Sequence, residues 1–229
     1  MQTSARILST KKLLPNQRQF LLNAGLSVIE GDFIKVQSKN FDINATKANL
    51  IFTSRNAFKS FLKNKLSVTY RGSNMFCVGS TTATFIRQNG YTVVVEADNA
   101  QQLAETIVNN YKTESFTFFS GNMSRDELPV TLTSAGVDFN EVEVYETVLA
   151  SHKINSSLNG IMFFSPSGIE SFLKENSITT ETCFCIGATT ASALKDITQN
   201  IVVANKPSIE NVIIQVRNQY NPLFQKRGV

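Results

Sequence analysis

Hydrophobic and polar positions along the chain fall into two kinds of segment that alternate. Short apolar runs, such as residues 50–53 and 116–119, are each followed by a polar turn. Beyond the turns come stretches whose apolar residues recur at spacings of three and four, as do Phe58, Phe61 and Leu62. Short buried runs that alternate with helical patterns are typical of βαβ units and a parallel sheet. The pattern therefore predicts an α/β fold built from doubly wound parallel sheets.

The same reading gives element positions over the first two thirds of the chain. A helix is predicted from Pro15 to Ala24, because Pro15 suits a first helical position and Gly25 suits the stop that follows the helix. The polar stretch at residues 38–50 predicts a connector or a short helix that leads into a second lobe. The predicted strands lie at residues 6–9, 26–29, 33–36, 50–53, 75–78, 93–95, 116–119 and 142–145.

One seven-residue turn occurs twice. Residues 77–83 read CVGSTTA, and 108 residues later residues 185–191 read CIGATTA. Each copy follows an apolar run and precedes a helical pattern, so its glycine and threonines fall where a strand turns into a helix. Unpaired amide groups and the helix dipole make such a turn a potential anion site. The alternative is that these hydroxyl residues only cap the helices.

The repeat extends over nearly the whole chain, with a period near 110 residues. At a shift of 111, Ser120 falls on Ser9 and Tyr145 falls on Ile34, while residues 171–174 fall on residues 60–63 without a gap. Such a period is far longer than that of a solenoid repeat. The duplication predicts two similar α/β lobes that enclose a cleft.

Length, composition and charge fit two ordinary globular lobes. The 229 residues exceed one typical domain of about 100–150 residues. No apolar run approaches the ~20 residues of a membrane span, and no signal-peptide pattern opens the chain, so we expect a cytoplasmic protein without membrane contact. We also expect a monomer. The net charge of +4 is a mild excess without basic clusters rich in aromatic residues. A small polyanion is therefore a better expected ligand than nucleic acid.

The residues that could carry metal or redox chemistry are few. The three cysteines are an odd number, and Cys183 and Cys185 point to the same face of a strand, so they are interpreted as reduced core thiols. One histidine, His152, leaves no ligand set for a transition metal, and no metal is expected. Because no G-x-G-x-x-G or G-x-x-x-x-G-K-[ST] motif follows a strand, a nucleotide-binding enzyme is the least favoured alternative.

The chain resembles the uroporphyrinogen-III synthase family. The matching segments follow the family's order and cover nearly the whole chain. They are FTS with NA at residues 52–57, GSTTA at 79–83, SGN followed by Arg125, VYET at 144–147, FSPS at 164–167, and IG with TTA at 186–191. The order of these short motifs is more specific than any one of them.

This resemblance implies a cofactor-free, two-domain hydro-lyase of tetrapyrrole biosynthesis, the route to porphyrin and heme. It implies that residues 1–36 and 149–229 form a first, discontinuous domain, that residues 37–148 form an inserted second domain, and that a two-stranded connector joins them. The implied reaction in the interdomain cleft closes linear hydroxymethylbilane to uroporphyrinogen III, with loss of water, a spiro intermediate and inversion of ring D. Helix N-termini on both lobes could bind the eight carboxylates of this substrate.

By the same resemblance, Tyr145 is the candidate catalytic residue, which would hydrogen-bond the departing hydroxyl and aid formation of a cationic azafulvene. The alternative is a tyrosine packed at a strand edge with its hydroxyl in water. The candidate substrate-binding residues are Ser54, Asn56, Thr82, Gly121, Arg125, Ser165, Ser167, Thr189 and Thr190.

Several positions keep a second interpretation. Arg125 could pair with a carboxylate or could be a solvated helix arginine. Lys11 stands where the family commonly has an arginine, and a lysine loses the bidentate geometry. His152 is expected on the return connector without a catalytic role.

A non-catalytic two-lobed binding protein for a small polyanion remains the main alternative function, because paired helix N-termini serve it equally well.

Overall fold

The computed structural model describes residues 4–43, 45–124 and 126–220. The chain forms two compact units: the first comprises the chain up to Lys35 and from Val148 onward, and the second comprises Val36–Thr147. Each unit has its own sheet and its own hydrophobic core.

The strands, in chain order, are β1 (Arg6–Ser9), β2 (Ser27–Glu30), β3 (Ile34–Ser38), β4 (Asn49–Phe52), β5 (Asn74–Val78), β6 (Thr92–Ala97), β7 (Ser115–Gly121), β8 (Asp138–Leu149), β9 (Gly160–Phe163), β10 (Thr182–Cys185) and β11 (Ile201–Val203). The α-helices are α1 (Pro15–Asn23), α2 (Arg55–Lys63), α3 (Ser80–Gln88), α4 (Ala100–Asn110), α5 (Glu127–Ser134), α6 (Pro166–Leu173), α7 (Ala188–Ser192) and α8 (Ile209–Tyr220). A 3-10 helix spans Lys65–Tyr70.

Both sheets are dominated by parallel pairs. The first unit has five strands in the order β11-β10-β9-β1-β2, and neighbouring strands there are parallel. The second has six strands in the order β3-β8-β7-β4-β5-β6, with parallel pairs from β8 to β6. The predicted α/β class with two similar, predominantly parallel sheets is confirmed.

The strands β3 and β8 carry the chain across the two unit boundaries and are neighbours in the sheet order. The amide of Lys39 donates to the carbonyl of Val144 over 2.9 Å, and the amide of Ala150 donates to the carbonyl of Phe33 over 2.8 Å. Because residue numbers rise along one strand as they fall along the other, the two connecting strands run antiparallel.

Aromatic side chains dominate one face of the second sheet. The ring of Phe52 stacks on Phe119 at a centroid distance of 5.1 Å and meets Phe58 edge-to-face, also at 5.1 Å. All three are fully buried. Truncation of a buried phenylalanine typically costs about 3–5 kcal/mol, so this cluster is a large part of what holds β4, β7 and α2 together.

The repeated halves also reproduce individual contacts. The hydroxyls of Ser38 and Ser60 lie 3.0 Å apart in the second unit, and those of Ser151 and Ser171 lie 3.1 Å apart in the first. Ser60 and Ser171 are both buried and lie at matching positions of α2 and α6. The duplication seen in the sequence therefore extends to the way in which each unit holds the chain that enters it.

Of the two alternatives predicted for residues 38–50, a connector or a short helix, the short helix is wrong for the described residues. Residues 39–43 and 45–48 form no helix or strand, and they already belong to the second unit. Side chains hold this backbone instead: Asn64 Nδ2 donates to the carbonyl of Phe41, and the hydroxyl of Tyr70 donates to that of Ile43.

Candidate functional site

The candidate site lies where the strand order of the second sheet reverses. From β4 the chain proceeds outward to β5 and β6, whereas β7 and β8 lie on the other side of β4. Ligands of open α/β sheets bind beyond the carboxyl ends of the strands at such a switch point. Ser54 follows β4, Gly121 ends β7, and Tyr145 of β8 lies opposite Gly121.

Tyr145 is tied to the first turn of α2. Its hydroxyl lies 3.1 Å from Ser54 Oγ, which also accepts a hydrogen bond from the amide of Ala57 over 3.1 Å. A serine hydroxyl can accept two hydrogen bonds and donate one, so the phenol can act as donor or acceptor in this pair. The phenol is thus positioned by the same oxygen that caps α2, and its hydroxyl does not lie only in water.

Gly121 provides the surface on which the Tyr145 ring rests. A Cβ atom at this glycine would overlap the Tyr145 ring at Cζ, so any other side chain here would force the ring to move. The pairing of β7 with β8 shifts register between Ser120 and Gly121, and this shift brings Gly121 opposite Tyr145. The requirement for glycine here is a close contact with the ring.

Asn122 fixes the β8 backbone at Tyr145 and two residues beyond it. Its amide donates to the carbonyl of Tyr145 over 3.3 Å, and its Nδ2 donates to the carbonyl of Thr147 over 3.2 Å. Its Oδ1 accepts from the amide of Thr147 over 2.8 Å. In the sequence Asn122 is recognisable only as part of a motif, because these partners depend on the β7–β8 register.

The glycine-threonine turn of the second unit lies beyond the next strand, β5. Gly79 is the N-cap of α3 with φ of 83°, a conformation that favours glycine, and no side chain caps this helix. The capping alternative is therefore wrong for the hydroxyl residues of this turn. Thr82 is 4% exposed, whereas Ser80 and Thr81 are exposed.

The first unit also has a serine that caps a helix and a copy of the glycine-threonine turn. Ser165 Oγ caps α6 by accepting from the amide of Gly168 over 3.1 Å, and it lies 3.0 Å from Ser167 Oγ. The second copy of the turn leads into α7, which has only five residues. Within it Thr190 is 3% exposed and Thr189 is exposed.

The predicted site residues thus fall into three groups. Ser54, Gly121 and Tyr145 meet at one switch point, and Asn56 and Thr82 lie in the first turns of the two adjacent helices of the same unit. The residues of the first unit are Ser165, Ser167, Thr189 and Thr190. Arg125 lies outside the described residues.

His152 follows β8 in the first unit. Its ring stacks on the buried ring of Phe33 at a centroid distance of 4.0 Å, and its Nδ1 lies 3.0 Å from the carbonyl of Ala150. These contacts hold the chain that returns from the connector. That His152 has no catalytic role stays a prediction.

The cysteines lie in the cores. All three are buried free thiols, as predicted. Burial raises the pKa of Cys77 to about 11 and the pKa of Cys183 and Cys185 to about 12, so their thiolates are scarce at neutral pH.

In the part of the chain that the structure describes, His, Cys, Asp and Glu side chains form no group of three or more that could hold a metal ion. None of the helices described there is long and apolar enough to cross a membrane.

Comparison with known proteins gives a consistent result. A family model described as uroporphyrinogen-III synthase HemD matches residues 21–214. The crystal structure of uroporphyrinogen-III synthetase from Helicobacter pylori superposes with a TM-score of 0.70 at 19% identity, covering 93% of this chain and 98% of that protein. A mutant uroporphyrinogen III synthase from Thermus thermophilus superposes with a TM-score of 0.67 at 8% identity, covering 95% and 98%. At these identities the two structures show a shared fold.

Proposed function

The chain belongs to the uroporphyrinogen-III synthase HemD family, and from this premise we propose that it converts hydroxymethylbilane to uroporphyrinogen III, with loss of water and inversion of ring D. The observation that carries the proposal is the contact between Tyr145 and Ser54 over Gly121 at the switch point of the second sheet. A phenol at this point supports the proposal, because open α/β sheets bind their ligands beyond the carboxyl ends of the strands at a switch point.

Tyr145 acts on the leaving group in this proposal. Its phenol hydrogen-bonds the hydroxyl of the linear substrate and donates the proton with which that hydroxyl departs as water. The substrate is left as a cationic azafulvene, which closes through the spiro intermediate. The proton released when the macrocycle forms returns to the phenolate and restores the phenol. The net reaction therefore releases one water molecule and takes up no proton. Ser54 keeps the phenol oriented through these steps, because its oxygen is itself fixed by the cap of α2.

Hydroxyl and amide donors hold the carboxylates. In the second unit these are Asn56 and Thr82 with the open first turn of α3, together with Arg125. In the first unit they are Ser165, Ser167, Thr189 and Thr190. Charged hydrogen bonds from such groups are stronger than neutral ones, so a polyanion can be held by a protein whose net charge is only +4.

The test supplies hydroxymethylbilane to the purified protein, oxidises the products and separates the porphyrin isomers. The proposal predicts an excess of the type III isomer that grows with protein concentration. A product that is type I alone, as in spontaneous closure, would exclude a synthase. If hydroxymethylbilane bound without turnover, the non-catalytic binding protein would be the correct alternative.

A further inference from the structure

The second unit has a pocket of about 260 Å³ between α2 and α3. Its lining residues are Arg55, Ser80, Thr81, Thr84, Phe85 and Gln88. Among the described residues the lining contains one cation, three hydroxyls and no carboxylate, so its chemistry favours an anion.

Arg55 is held in this pocket by an aromatic ring. Its Cζ lies 4.4 Å from the ring centroid of Phe85, a distance typical of a cation–π contact. Stacking occupies the flat face of a guanidinium and leaves the N–H groups at its edge free to meet a carboxylate in two parallel hydrogen bonds. Phe85 is itself in edge-to-face contact with the fully buried Phe58, at 5.9 Å, so the support is anchored in the core.

Other arginines of the described chain are used differently. Arg18 pairs with Glu30 at 3.0 Å and Arg87 pairs with Glu96 at 2.8 Å, whereas Arg55 forms no ion pair within the described residues. An exposed arginine usually gains little from its surface position. Arg55 is instead oriented by a ring, and among the residues that the structure describes no carboxylate pairs with its charge.

The pocket adjoins the Tyr145 site. Arg55 is the residue directly after Ser54, and α2 and α3 follow the neighbouring parallel strands β4 and β5. Neighbouring strands lie about 4.8 Å apart, so both features belong to one stretch of the sheet's carboxyl edge. We propose that Arg55, supported by Phe85, binds one carboxylate of the linear tetrapyrrole beside the Tyr145 site. This inference rests on the proposed function and adds a substrate-binding residue to it.

The duplication argues that this is a feature of the second unit only. At the repeat shifts of 111 and 108, the positions of Arg55 and Phe85 correspond to Pro166 and Ala193 of the first unit. Neither residue can supply a charge or an aromatic ring. The pair is therefore not required by the fold that the two units share.

The first experiment compares steady-state kinetics of Arg55→Gln and Arg55→Lys with hydroxymethylbilane as substrate. Loss of a charged, two-point hydrogen bond predicts a KM raised about 10-fold in Arg55→Gln with kcat within about 2-fold of the parent. Arg55→Lys should recover part of the KM, because it keeps the charge but loses the fork geometry. The KM of the parent should also rise more steeply with salt than that of Arg55→Gln.

Lys59→Gln is the matched control. Its Nζ lies 5.9 Å from the same ring, but the residue is outside the pocket lining. We expect its KM to stay within about 2-fold of the parent, since a rim charge contributes little. If Lys59→Gln raised the KM as much as Arg55→Gln, a general attraction between charges would explain the result and the proposal would be overturned.

A binding measurement separates this inference from the proposed function. Fluorescence titration with uroporphyrin, which carries eight carboxylates and undergoes no turnover, should show affinity reduced about 10-fold in Arg55→Gln. If the parent forms type III isomer and neither KM nor porphyrin affinity changes in Arg55→Gln, the role of Arg55 is refuted while the synthase stands. If the parent forms only type I isomer, the synthase fails, and the titration alone decides whether Arg55 binds carboxylates.

Discussion

The second unit carries Tyr145, Gly121 and Ser54 at the switch point of its sheet. At the repeat shift of 111, the first unit carries Ile34, Thr10 and Ser165 in the corresponding positions. The serine is shared, and in both units it caps the helix that follows. The tyrosine and the glycine beneath it belong to the second unit alone.

Thr10 occupies in the first unit the position that Gly121 has in the second, and no tyrosine corresponds to Tyr145 there. Its Oγ1 donates to the carbonyl of Met162 over 2.7 Å and so links β1 to β9. In the second unit the ring of Tyr145 occupies the space that such a side chain would need. The comparison teaches that the duplication preserved the strands and the helix caps, while the proposed acid–base chemistry is concentrated in one copy.

Gly121→Ala should have the largest effect of the substitutions that test this comparison. The new methyl group would displace the Tyr145 ring, and a reacting group misplaced by about 1 Å can cost about 100-fold in kcat. The measurement is kcat for type III isomer formation. Gly72→Ala is the control, because a Cβ there would have nothing within 4 Å.

The double variant Gly121→Ala with Tyr145→Ala tests the cause. Once the ring is absent, the methyl group has nothing to displace, so the double variant should be no slower than Tyr145→Ala alone. A further loss in the double variant would show that Gly121 is needed for a reason other than the ring.

Ser54→Ala and Ser165→Ala should separate the shared role of the serine from the additional one. Each removes a helix cap and should lower the free energy of unfolding by about 1 kcal/mol. Ser54→Ala should also lower kcat about 10-fold, because Tyr145 loses its partner. We expect Ser165→Ala to act on KM. Equal losses of kcat in the two variants would contradict the asymmetry between the units.

Alkylation of the cysteines should show the smallest difference between the units. Cys77 and Cys185 occupy equivalent positions of the repeated turn, and burial raises the pKa of both, to about 11 and about 12. Both should resist iodoacetamide in the folded protein at pH 8, as followed by mass spectrometry. Rapid labelling of Cys77 alone would mean that the cores, and not only the sites, differ.

The pH dependence of stability follows from the same shifts. A thiol whose pKa is raised in the folded state keeps its proton longer there, so its contribution is complete below the ordinary value of 9.0. Stability should therefore fall as the pH rises from about 9 towards about 12. Urea unfolding at pH 8 and pH 10 measures this, and an increase in stability over that range would contradict buried thiols.

Much of the fold follows from the sequence, because buried strands and helix ends have local signals. Gly25 and Gly136, for example, end helices with φ of 79° and 70°, as a glycine after an apolar helical pattern indicates. The irregular course of residues 39–43 and 45–48 could not be foreseen, since it depends on Asn64 and Tyr70 of later elements. Hydrogen bonds to residues distant in sequence therefore determine the backbone path of this segment.

The site was predictable only where a motif carried it. Ser54, Gly121 and Tyr145 come from three motifs that are distant in sequence, and their contact depends on strand order and on a register shift. Nothing local in the sequence distinguishes Arg55 from a solvated helix arginine, so the sequence alone does not single it out. Its stacking on Phe85 arises only when α2 packs beside α3.

The most direct test of the central claim is the rate of type III isomer formation by Tyr145→Phe, compared with Tyr70→Phe. Both variants lose one phenol hydroxyl of the same unit, and the hydroxyl of Tyr70 only donates to the carbonyl of Ile43. Loss of a hydrogen bond of about 1–3 kcal/mol predicts that Tyr145→Phe is slowed about 5- to 150-fold while remaining active. Tyr70→Phe should turn over at close to the parent rate. An unchanged rate in Tyr145→Phe would remove this tyrosine from the mechanism.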